Sequence, residues 1–145
     1  MAQAPVSTTL ERSVQTANSW IHDIAQRLDV DPDKATTVLG RCLGVIRDSL
    51  TVDEAADLAA QVPIVIRGLY HQEWKPSRTP VQRSRTDDAL QELAQQRPFS
   101  AEVDPETAMA AVGAVLGSRV TRGQIADVNS QAPSWVARFV QPASR

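Results

Sequence analysis

A chain of 145 residues, 42 % hydrophobic and 22 % charged with a formal net charge of −2, is long enough to bury about two thirds of its unfolded surface, as one domain or two mutually dependent halves. That charge excludes a global electrostatic drive towards nucleic acid, and the single Cys42 excludes an intramolecular disulfide, which points to a reducing, cytoplasmic setting. Met1-Ala2-Gln3-Ala4-Pro5 has neither the basic start nor the apolar stretch of a signal peptide, and the most apolar segment, Ala59 to Tyr70, is too short to span a bilayer.

Residues 1–9 read as a flexible tail. Leu10, Val14, Ala17, Ile21, Ala25 and Leu28 recur at spacings of three and four, which predicts an amphipathic helix to about Leu28. Asp31 is placed as an N-cap, with Pro32 at the first helical position where a missing N–H costs nothing. A second helix follows, with the stripe Ala35, Val38, Leu39, Cys42, Ile46 and Leu50. Thr51-x-x-Glu54 has capping-box spacing and predicts a third helix from about Val52 to Gln61. Pro63 ends it and opens a fourth, Ile64 to about Gln72. Residues 75–85, with Pro76 and Pro80, read as an extended linker. Thr86 is placed to cap a fifth helix to about Gln96; Asp104-Pro105 open a sixth, Thr121 caps a seventh, and Pro133 opens an eighth ending near Val140. No segment alternates with the period of a strand.

The chain also repeats itself. Val30-Asp31-Pro32-Asp33-Lys34-Ala35 returns as Val103-Asp104-Pro105-Glu106-Thr107-Ala108, and Gly40-x-x-x-Gly44 as Gly113-x-x-x-Gly117, both offset by 73. Leu50-Thr51 returns as Val120-Thr121 and Gln61-Val62-Pro63 as Gln131-Ala132-Pro133, offset by 70. The slip of three is about one helical turn, so the second copy reads as the first with a turn deleted. The expected fold is all-α: two tandem duplicated four-helix units, 10–74 and 86–141, forming a compact helical bundle.

Each mid-helix glycine costs about 1 kcal/mol relative to alanine. Glycines four apart share a face, so Gly40, Gly44, Gly113 and Gly117 are expected at close helix packing. Aromatics are scarce. Tyr70 and Trp74, and Trp135 and Phe139, are each four apart, a spacing that puts each pair on one helix face; with His71 they could line a groove for a partner or a small apolar ligand. His22 falls on a polar face. One cysteine and two histidines supply no tetrahedral zinc set from local spacing, and no metal site or cofactor is expected. No Gly-x-Ser-x-Gly elbow occurs, and Asp53-Glu54 and Asp87-Asp88 occupy first helical turns, where the helix dipole accounts for them. Charge is uneven: residues 1–74 carry −4, residues 75–85 carry +4, and residues 86–145 carry −2. Lys75, Arg78, Arg83 and Arg85 could therefore attract an acidic partner, but without interleaved aromatics they give no basis for specific nucleic-acid binding.

The stretch Val52-Asp53-Glu54-Ala55-Ala56-Asp57-Leu58-Ala59-Ala60-Gln61-Val62-Pro63-Ile64-Val65-Ile66-Arg67-Gly68-Leu69-Tyr70, followed by Trp74-Lys75-Pro76-Ser77, closely resembles the signature of an uncharacterised bacterial family, domain of unknown function 2267. The likeness extends from about Leu10 to Val140. It implies a small, cytoplasmic, all-helical bacterial protein and carries no established activity or catalytic residues. The four paired glycines lie outside that signature.

The functional expectation is a non-enzymatic helical interaction module, of the kind that serves as an adaptor in bacterial stress physiology, acting on a protein partner or by forming a homo-oligomer. A small-ligand-binding protein using the Tyr70/Trp74 end is the alternative. A hydrolase-like enzyme with His71 as base and Glu73 as orienting carboxylate is a weaker third.

Overall fold

The computed structural model of the chain describes residues 6–81, 86–99 and 102–143. Among these it is all-helical: α1 Thr8–Leu28, α2 Pro32–Asp48, α3 Val52–Ala59, α4 Ile64–His71, α5 Thr86–Ala94, α6 Pro105–Arg119, α7 Arg122–Gln131 and α8 Ser134–Phe139. Four of the expected caps form. Asp31 accepts a hydrogen bond from Lys34 N at 2.8 Å, Asp104 from Thr107 N at 2.9 Å, Thr51 from Glu54 N at 3.2 Å and Thr121 from Gln124 N at 3.3 Å. Each satisfies an amide that the helix itself leaves orphaned. The Thr107 bonds also hold the Asp104 carboxyl below its ordinary pKa.

Three local readings differ from the structure. The box at Thr51 is only half formed: the Glu54 carboxylate turns away from the cap and bonds a residue of α7. Thr86 is the first residue of α5 rather than its cap. The linker is not extended throughout, because Pro76–Arg78 make a 3-10 turn and the N–H of Val81 reaches back to Asp48 O at 2.7 Å.

α1 packs on α2, α4 and α6; α2 packs on α4, α5 and α6; α6 packs on α5 and α8; and α7 packs on α3 and α8. One hydrophobic cluster runs through both halves, joining Trp20, Ile24, Leu39, Leu43 and Ile46 to Met109, Val112, Leu116 and Trp135. α2 and α6 lie at its centre. Ala108, Met109, Ala111, Val112, Gly113, Val115, Leu116 and Gly117 of α6 are all buried, more than one helix face can hold, as befits a helix enclosed by others.

Candidate functional site

The two glycine pairs meet different surroundings. A Cβ built on Gly113 would collide with the carbonyl oxygen of Phe139 and lie 2.6 Å from its carbon; one on Gly117 would collide with the carbonyl oxygen of Gln141. The backbone leaving α8 thus lies directly on α6, and only a residue without a Cβ admits it. Asn129 Nδ2 donates to Val140 O at 2.8 Å, and Ala143 N donates to Gly117 O at 3.2 Å, fastening this segment down. At Gly40 the nearest atom is Leu69 Cβ at 3.7 Å, and at Gly44 it is a guanidinium nitrogen of Arg47, also at 3.7 Å. No backbone lies on this pair. Both glycines instead line an open cleft of about 570 Å³ between α2, the end of α4 and α5, with Thr37, Arg41, Gln72 and Glu73 on its wall.

Arg47 shapes that cleft. Its residue is 3 % exposed, yet its guanidinium is fully engaged: Nη1 donates to Tyr70 O at 2.6 Å and Gln72 O at 2.9 Å, and Nε donates to Asp48 Oδ1 at 2.8 Å. Placing a cation on the last carbonyls of α4 satisfies acceptors that the helix leaves unpaired and suits the helix dipole. Arg47 belongs to no recognisable motif in the sequence. It falls in the stretch Gly44–Leu50, which is three residues longer than Gly117–Val120 and accounts for the change of offset from 73 to 70 between the matched motifs.

The aromatic set does not form one groove wall. Tyr70 is buried and donates its hydroxyl to Ala55 O at 2.6 Å, and burial pushes its pKa up. Trp135 is buried in the core, and Phe139 is half-buried against it. Trp74 does not share a helix face with Tyr70, because α4 stops at His71 and Glu73 takes a left-handed φ of 59°. His71 is exposed, with its ring 5.2 Å from Tyr70 in a T-shaped contact and 5.4 Å from Trp74. His22 is exposed as its polar face foretold, and Cys42 is buried with its pKa pushed up by burial. Lys75 and Arg78 are exposed; Arg83 and Arg85 lie outside the described residues. Among the described residues, no group of three His, Cys, Asp or Glu side chains is placed to hold a metal ion, and no helix is long and apolar enough to cross a membrane.

A second polar feature joins α3 to α7. Gln124 Nε2 donates to Glu54 Oε1 at 2.6 Å, and Thr51 Oγ1 donates to Gln131 Oε1 at 3.2 Å. Burial raises the Glu54 pKa, the nearby Asp57 and Asp127 carboxylates raise it further, and the Gln124 bond partly opposes them.

No curated protein matches the chain. A family model does: that of the uncharacterized conserved protein family DUF2267 matches residues 17–139, a span that takes in part of α1 and all of α2 to α8, including the glycine-lined cleft and the seam between α3 and α7. The chain therefore belongs to the DUF2267 family.

Proposed function

We propose that this chain is a non-enzymatic interaction module made of two duplicated four-helix units, in which the cleft between α2, α4 and α5 holds an extended segment of a partner protein. One observation carries this reading. The glycine face of α6 is covered by the chain's own extended backbone at 139–141, whereas the corresponding face of α2 opens on a cleft. What the second unit does with its own chain, the first is shaped to do with another.

Duplication is supported by how the helices meet. Exchanging α1–α4 with α5–α8 turns the α1–α6 contact into the α5–α2 contact, and the α2–α4 contact into the α6–α8 contact; the pairs α2–α6 and α3–α7 map onto themselves. The offset of 70 that relates Gln61 to Gln131 also relates Glu54 to Gln124, and these two equivalent side chains bond to each other. α1 packs on α4 in addition because it has 21 residues against 9 in α5.

The test is a photo-crosslinking residue at Arg41, exposed on the cleft wall, followed by identification of what it captures. The expected result is crosslinking to one continuous stretch of a single partner, lost when Thr37→Trp fills the cleft from its rim while the fold is retained. Crosslinks scattered over many sequences, or unchanged by Thr37→Trp, overturn the proposal. Capture of a second copy of this chain would replace the foreign partner by self-association.

A further inference from the structure

On the face formed by α1, the turn between α3 and α4, and the end of α6 lies a separate cleft of about 420 Å³ whose charged lining residues are Arg12, Arg67 and Arg119. Two of these guanidiniums are held in place. Arg67 donates from Nε to Val62 O at 3.0 Å and from Nη2 to Ala60 O at 3.1 Å. Arg119 donates from Nη1 to Ser19 Oγ at 3.1 Å and stands 5.9 Å from the centre of the Trp20 ring. Arg12 is exposed; its carbonyl accepts from Thr16 Oγ1 at 2.9 Å, and its guanidinium makes no hydrogen bond or ion pair among the described residues. Among the described residues, the only carboxylate that reaches any of the three is Asp23, 3.5 Å from Arg119 and shared with Arg27 at 2.8 Å. The cleft therefore keeps about two uncompensated positive charges in a protein whose net charge is −2.

We propose that this cleft binds a small phosphomonoester, with Arg12, Arg67 and Arg119 around the phosphate and the organic group lying against Pro63 and the methyl groups of Thr9 and Thr16 on the rim. Charge decides between anions. A phosphomonoester carries about −1.5 to −2 at neutral pH and matches the uncompensated charge, whereas a carboxylate leaves one guanidinium unanswered. Planar guanidinium forks suit tetrahedral oxyanions. Arg67 and Arg119 are anchored to backbone and hydroxyl groups before any ligand arrives, so little side-chain entropy remains to be lost at those two. The volume lies in the range of small-molecule sites. α4 opens beside the cleft at Pro63 with no side-chain cap, which adds a favourable positive helix end. No bond is made or broken in the bound state.

Calorimetric titration of the full chain with phenyl phosphate, inorganic phosphate and phenylacetate tests the proposal. Saturable binding of phenyl phosphate is expected, about tenfold tighter than phenylacetate and tighter than inorganic phosphate, and weakening as salt rises. Arg12→Gln should weaken it about tenfold with an unchanged melting temperature, because the Arg12 guanidinium holds nothing else. Arg119→Gln should weaken it as well. Affinity untouched by both substitutions overturns the site. Equal affinity for phosphate with and without the phenyl group removes the organic subsite and overturns the ligand class, as does absence of saturation at about 10 mM.

Discussion

Alanine at the four paired glycines should separate the two halves of the molecule. Each substitution gains about 1 kcal/mol of helix propensity. At Gly40 and Gly44 the new methyl would stand 3.7 Å from side-chain atoms, an ordinary contact, so the gain is kept and the melting temperature should rise by about 2–5 °C for a chain of this size. At Gly113 and Gly117 the methyl would collide with the backbone carbonyls of Phe139 and Gln141. Relief means moving the chain after α8 off α6, which breaks the Asn129–Val140 and Ala143–Gly117 bonds and unpacks Trp135, Val136 and Val140, each buried. Overpacking alone costs about 1–3 kcal/mol, and a broken hydrogen bond about 1 more. With both bonds broken, the net loss should be about 2–4 kcal/mol after the propensity gain. Urea denaturation with linear extrapolation measures all four on one scale. If Gly113→Ala and Gly117→Ala prove as benign as Gly40→Ala and Gly44→Ala, the terminal backbone does not lie on α6, and the asymmetry on which the partner cleft rests disappears.

Two further substitutions probe the polar interior. Glu54 has its folded pKa raised, chiefly by burial, so its ionised form opposes folding: stability is fullest below the ordinary glutamate pKa and is lost as pH rises through the raised folded value. Glu54→Gln keeps an acceptor for Gln124 and removes the charge; its melting temperature should exceed wild type at pH 7, with the gap closing as pH falls towards about 4. A variant less stable than wild type at pH 7 would refute this. Arg47→Met should cost about 3 kcal/mol, because it strips a buried ion pair and the α4 carbonyls of their donor; denaturation within 1 kcal/mol of wild type would show that water replaces the guanidinium freely.

The helices and their starts were legible because they depend on short-range chemistry. Asp31-Pro32, Asp104-Pro105, Thr51 and Thr121 act within three residues of themselves, so spacing alone located the starts of α2, α6, α3 and α7. Family membership was equally legible, from the run between Val52 and Ser77. Tertiary structure decided what each face meets. Tyr70 and Trp74 look like a helical pair in the sequence, yet α4 ends at His71 and Glu73 turns the chain, so Tyr70 is fully buried while Trp74 packs, only partly buried, against the core from outside the helix. The two Gly-x-x-x-Gly pairs are identical as strings, but one lies under a backbone segment that follows it by more than 20 residues and the other borders a cleft. Arg12, Arg67 and Arg119 are scattered through the chain and share no motif. Only the crossing of α1, α4 and α6 puts their side chains around one opening, since convergence of distant charges is a property of packing rather than of local sequence.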